Sequence, residues 1–94
     1  MAGKLTEPEI AQRLSGLSGW TLEGAAIRKS FGFARFADGI RFVDRVAAAA
    51  DAMDHHPDVD IRYTTVTMTL STHSVGGLTS KDFDLAERIE QALR

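Results

Sequence analysis

Three histidines, His55, His56 and His73, carry the chemistry most readily recognised in this 94-residue chain. Imidazole is the one side chain whose unperturbed pKa, ~6.5, lets it both give and take protons near neutral pH. Two imidazoles in different surroundings can divide the roles of acid and base. Asp51, Asp54 and Asp82 can be brought near them, and a carboxylate can fix an imidazole tautomer. There is no cysteine, hence no thiolate nucleophile, thiolate metal ligand or disulfide. Adjacent histidines point to opposite sides of a strand, or ~100° apart on a helix. The spacings that put two imidazoles on one face, His-x-His and His-x3-His, are absent, so the expectation is metal-free and cofactor-free acid–base chemistry. Ser71 lies two residues before His73 on the same face of a strand, without the sharp turn that exposes a nucleophilic serine. A blander reading stands beside this one. His55-His56-Pro57 at a helix end can cap free carbonyls, His73 can be an ordinary strand-end residue, and Asp82 can be a helix N-terminal charge. Convergence of the three histidines would favour catalysis.

The elements that must position these residues follow from periodicity and punctuation. Thr6-Glu7-Pro8-Glu9 has the spacing of a capping box with proline in the first turn. Ile10, Leu14 and Leu17 then form a helical stripe, closed by Gly16 and Gly19. Residues 20–23 and 26–33 read as a β-hairpin turning at Gly24, with Ile27, Phe31 and Phe33 sharing one parity with Lys29. Residues 37–53 read as the longest helix, with Asp38 as its cap. Phe36, Ile40, Val43, Ala47 and Ala50 form one apolar stripe on it, and Phe42, Val46, Ala49 and Met53 an adjacent one. Together they span about half the circumference. That is more than one sheet contact requires, so a further helix, from this chain or a second subunit, is expected against it. Pro57 ends the helix at or before His56.

Val59, Ile61 and Tyr63 alternate with polar residues as a half-buried strand, and Val66, Met68 and Leu70 as a second. The apolar parity changes between Tyr63 and Val66, which a single straight strand cannot do. A tight turn or bulge is therefore expected at Tyr63-Thr64-Thr65. Reflection about the Thr64–Thr65 bond puts His56 opposite His73, with Cβ atoms ~4.5–5.5 Å apart. Gly76-Gly77 is a loop. Thr79 caps a last helix with Asp82 three residues on and Phe83, Ala86, Ile89 and Leu93 on its apolar face. The order α-β-β-α-β-β-α indicates an α+β fold, a four-stranded antiparallel sheet with helices packed on one face.

Length and composition narrow the function classes. Residues 1–94 make one domain, burying ~60–65% of the unfolded surface, a core small enough that self-association is a common supplement. Formal net charge is −2, signs are mixed, and no basic stripe with interleaved aromatics argues for direct nucleic-acid binding. The longest wholly apolar run, Val46 to Ala50, is far below the ~20 residues of a membrane span. Met1 to Glu9 contains no apolar signal region, which with the absence of cysteine points to the cytoplasm.

The stretch Asp54-His55-His56-Pro57-Asp58, then Tyr63, then Leu70-Ser71-Thr72-His73, then Gly77-Leu78-Thr79 and Lys81-Asp82-Phe83-Asp84-Leu85-Ala86 resembles the pterin-4a-carbinolamine dehydratase family. Gly19-Trp20 and the Phe31–Phe33 strand fit as well, so the likeness covers nearly the whole chain. It implies the element order read above and a metal-free dehydratase that converts a 4a-hydroxytetrahydropterin to the quinonoid dihydropterin, recycling a tetrahydropterin after aromatic amino-acid hydroxylation. By position it implies that His55, His56 and His73 are the catalytic histidines and Asp82 the site's carboxylate. It also implies that Asp51, Asp54, Pro57, Ser71 and Thr72 bind substrate. Which of His55 and His56 is acid and which base stays open, as does the identity of the pterin. Asp51 stands where many members have glutamate, and Val59 where some have an aromatic residue. The resemblance also implies a homodimer or homotetramer through the long helix. The alternative function is a non-catalytic assembly or dimerisation cofactor on the same fold, which has no need of all three histidines with Asp82.

Overall fold

The computed structural model describes residues 3–94; Met1 and Ala2 of the N-terminal stretch lie outside the described residues. Helix α1 spans Glu7–Ser15. Its first turn is closed as a capping box: the Thr6 N–H donates to Glu9 Oε1 at 2.8 Å and the Glu9 N–H to the Thr6 hydroxyl at 3.4 Å. Gly16 ends it. Strands β1 (Thr21–Glu23) and β2 (Ala26–Gly32) form the first hairpin, and Gly24 takes a left-handed φ of 58° that a side chain would resist.

Helix α2 spans Phe36–Met53. Its cap differs from expectation: Arg35 occupies the N-cap without a side-chain bond, and Asp38 sits inside the first turn. The Asp38 carboxylate instead accepts from Arg41 at 3.0 Å and faces Arg35 at 3.5 Å, a charge pairing at the positive end of the helix. Gly39, Phe42, Val46 and Ala50 are its buried face. Gly39 lets the helix approach the sheet closely, since a Cβ there would lie 3.3 Å from the Val66 side chain and 3.4 Å from Phe33. The expected second helix is α3 of the same chain, Ser80–Gln91. It does not cover the whole arc: Phe36 stays 50% exposed and Ala47 is exposed.

Strands β3 (Asp58–Arg62) and β4 (Thr65–Leu70) complete an antiparallel sheet of order β1-β2-β4-β3. Two expectations are corrected here. First, β3 is not half-buried; every residue in it is exposed. It is the edge strand, and although Val59 and Ile61 share the parity of Met68 and Val66, no helix extends over them. Second, the turn is centred one residue earlier than expected. Arg62 pairs with Thr65 and Asp58 with Thr69, so each partner shifts by two and His56 falls level with Ser71 rather than His73. Tyr63, the first turn residue, takes a φ of 51° and accomplishes in two residues what the parity change demanded.

Val66, Met68 and Leu70 point inward as expected, against Ile27, Phe31, Phe42, Phe83, Leu85 and Ile89, all buried. Phe31 and Phe42 meet with ring centroids 5.0 Å apart, and each fully buried side chain of this size contributes ~1.5–3 kcal/mol. Leu85 joins the core, while Leu93, expected on the apolar face of α3, lies beyond the helix end and is exposed. Trp20 Nε1–H and Lys29 Nζ both donate to Glu90, at 2.9 and 2.7 Å, tying the first hairpin to α3. Among the described residues no helix is long and apolar enough to cross a membrane.

Candidate active site

Two breaks in regular structure build the site. The first is the end of α2. Asp54 turns the chain through the left-handed region, φ 51° and ψ 44°, a conformation aspartate tolerates better than most residues. Backbone N–H groups close the helix: Asp54 donates to the Ala50 and Asp51 carbonyls, and His55 to Ala50 at 3.1 Å. The imidazoles are thus not used as caps, and both bond carboxylates instead. The second break follows β4. Thr72 and Gly77 bond each other in both directions, at 2.8 and 3.4 Å, pinching off a 3-10 turn over His73–Val75 that Gly76 ends with φ 64°. His73 therefore opens a turn instead of ending a strand.

These segments enclose a cavity of about 260 Å³, open to solvent and lined by Asp54, His55, His56, Ser71, Thr72, His73 and Ser74. The three histidines converge on it although the register that suggested this was wrong. The one-residue shift of the turn is offset because His73 is carried on by the 3-10 turn. Ser74 has no precedent in the sequence reading, because a 3-10 turn of three residues leaves no periodic signal.

His55 is the most enclosed of the three. Its side chain is 11% exposed, and Nε2 lies 2.6 Å from Oδ1 of Asp82, which is 0% exposed. Asp82 does not line the cavity; it bonds His55 from the first turn of α3. Its Oδ2 accepts from the Thr72 hydroxyl at 2.8 Å and from the Thr79 N–H at 2.9 Å. An oxygen accepting two such bonds carries no proton of its own. With Asp82 ionised, the bond to Oδ1 is donated by His55 Nε2–H, and in the neutral ring Nδ1 is then the acceptor. Among the described residues Nδ1 makes no hydrogen bond and no buried side-chain polar atom lacks a partner, so Nδ1 is solvent-accessible, on a residue that lines the cavity.

His56 Nε2 lies 2.8 Å from Asp51 Oδ1, but this pair is at the rim, 57% and 78% exposed, where an ion pair holds geometry weakly. Asp51 and Pro57 lie outside the cavity. They line a neighbouring apolar groove of about 190 Å³ between α2 and β3, with Val43, Val46, Ala47, Ala50, His56 and Val59. Thr72 lines the cavity, but its hydroxyl is engaged with Asp82 and Thr79. Among the described residues, the Ser71 and Ser74 hydroxyls lining the cavity make no side-chain hydrogen bond. Among the described residues no three His, Cys, Asp or Glu side chains are placed to share a metal ion.

Known proteins share both the sequence and the fold. Residues 3–92 match the family model described as pterin 4 alpha carbinolamine dehydratase. A relative from Roseiflexus sp. (strain RS-1) is 50% identical over 93 residues, 99% of this chain and 100% of its own. One from Mycobacteroides abscessus is 54% identical over 86 residues, 92% of each chain. Both carry provisional pterin-4-alpha-carbinolamine dehydratase names. The crystal structure of a transcriptional coactivator/pterin dehydratase from Brucella melitensis superposes with a TM-score of 0.93 at 35% identity, covering 98% of this chain and 100% of that one. A match over nearly every residue, in sequence and in fold, means that this chain belongs to the pterin-4-alpha-carbinolamine dehydratase family.

Proposed function

We propose that this chain removes water from a 4a-hydroxytetrahydropterin to give the quinonoid dihydropterin, by histidine acid–base catalysis, in tetrahydropterin recycling in the cytoplasm. The observation that carries the reading is His55: nearly enclosed, lining the cavity, one ring nitrogen held by a buried carboxylate and the other solvent-accessible. In the reaction the C4a–O bond breaks, N5 loses its proton and the C4a=N5 double bond forms. The departing hydroxide needs a proton, and N5 needs a base. His55 Nδ1 supplies the base. His73, on the other chain segment and, among the described residues, without a carboxylate partner, supplies the acid, with His56 at the rim as a second donor. Ser71, Ser74 and Asp54 are left to orient the ring through hydrogen bonds. Stopped-flow dehydration of a synthetic 4a-hydroxytetrahydropterin tests the assignment. Replacing His55 or His73 by alanine lowers the rate by ~10²-fold or more, and His56→Ala by less. Near-normal turnover in both His55→Ala and His73→Ala would reject it.

A second reading, an assembly or dimerisation cofactor, is favoured by one feature. Val59 is exposed and lines the apolar groove between α2 and β3, and Phe36 at the start of α2 and Ile61 on β3 are also exposed. The name of the Brucella melitensis relative also joins a coactivator role to a dehydratase. We assign this face to self-association of the chain as a homodimer or homotetramer through α2. A chain that assembles normally but shows no dehydration with any 4a-hydroxypterin would favour the second reading over the first.

A further inference from the structure

We propose that Thr72 and Thr79 are positioning residues for His55, their hydroxyls forming a one-way hydrogen-bond chain onto the Asp82 carboxylate that holds His55 as the Nε2–H tautomer. This rests on the reading of His55 as a proton-transfer residue. The direction of the chain follows from counting protons. A threonine hydroxyl has one, and that of Thr72 is given to Asp82 Oδ2 at 2.8 Å. The 2.9 Å contact between the Thr72 and Thr79 hydroxyls must then be a donation from Thr79 to Thr72. Thr79 adds a second hold through its backbone N–H on the same oxygen. Thr79 and Asp82 are fully buried and Thr72 is half-buried.

A helix cap alone does not require this arrangement. The reciprocal Thr79–Asp82 pair already satisfies the end of α3, whereas Thr72 comes from another segment, beyond β4. Its donation fills the last open position on Oδ2 and leaves Oδ1 facing His55 alone. With the carboxylate unable to turn, His55 Nε2 always meets an acceptor, so the neutral ring keeps its proton on Nε2 and leaves Nδ1 as the acceptor. The hydroxyl of Thr72 is thereby removed from the set available to substrate, although the residue lines the cavity.

Long-range proton–nitrogen NMR of the imidazole rings in the full chain, run where imidazole is neutral, reads the tautomer directly. His55 shows the Nε2–H pattern in the parent protein and a mixed pattern in Thr72→Val. In the same variant kcat falls by about tenfold with KM unchanged, as loss of one charge-assisted hydrogen bond implies. Thr72→Ser restores both readouts, and Thr79→Val moves them in the same direction. If Thr79→Val does not fold, the Thr72 pair decides alone. A raised KM at parental kcat in Thr72→Val would overturn the proposal by placing the hydroxyl on the substrate. So would a folded Thr72→Val with the parental nitrogen pattern. The spectra need no substrate, so they judge the hydrogen-bond chain separately from the dehydratase reading, which normal turnover in His55→Ala would sink.

Discussion

Asp82 is the residue on which the hydrogen bonds of the site converge: a ring nitrogen of His55, a hydroxyl and a backbone N–H all meet one buried side chain. Replacing it by asparagine keeps the volume but turns an NH2 group toward His55 Nε2, which must then accept. The ring is forced into the other tautomer, and Nδ1 no longer takes a proton. We expect Asp82→Asn to lower kcat by at least ~10-fold and to cost about 1–3 kcal/mol of stability, read by the dehydration assay and by urea unfolding. Unchanged turnover would separate Asp82 from the chemistry. The sequence made the histidines and Asp82 visible as residue types, but not their division of labour. The Thr79-x-x-Asp82 pattern reads as a helix cap, and it is one. That the same carboxylate also grips His55 depends on a contact across 27 positions, which no local pattern encodes. Thr72, by contrast, is expected to bind substrate from the family resemblance; it does line the cavity, and its proton count shows its hydroxyl committed to Asp82.

The element scale is where the sequence was most legible, and its failures have physical causes. Capping boxes at Thr6 and Thr79, the Gly24 turn and the break before Pro57 are local, and all are found. The parity change between Tyr63 and Val66 located the second turn but not its centre, because a hairpin's register depends on the backbone of two turn residues rather than on side-chain alternation. The exposure of β3 was missed for a related reason: alternation identifies which way a strand faces, not whether anything covers it. Two outcomes follow at this scale. Tyr63 is 77% exposed with φ 51°, so Tyr63→Gly removes little packing and relieves the left-handed strain, raising stability by about 0.5–1 kcal/mol in thermal unfolding. A loss of stability there would mean that the tyrosine makes contacts outside the single chain. In α1, hydrogen bonds from the Thr6 backbone N–H and then its hydroxyl hold the Glu9 carboxyl below the usual carboxylate range. Because the folded pKa is lowered, this support is present above that range and is lost as pH falls through the lowered value. Glu9→Gln abolishes that pH dependence of α1 unfolding, followed by amide exchange.

The whole molecule is a sheet covered on one face, with the site at the end where α2 stops and α3 begins. Its core is closed where both helices overlie the sheet and open along β3, where the apolar side chains of α2 and the edge strand meet solvent. Phe42→Ala, in the middle of that core, costs ~3–5 kcal/mol, enough to unfold much of a domain of this size and to be seen in a denaturant titration. If α2 mediates self-association, Val43→Glu and Ala47→Arg shift the protein toward its 10.2 kDa monomer in size exclusion with light scattering, while the His55–Asp82 pair stays intact. A parent protein that is already monomeric at high concentration would contradict the assigned interface. If His55, held by Asp82, transfers the proton on which dehydration depends, stopped-flow dehydration of 4a-hydroxytetrahydropterin shows catalysis by the parent chain and a loss of ~10²-fold or more in His55→Ala, both checked as folded. Equal rates, or no catalysis by the parent, would overturn the assignment.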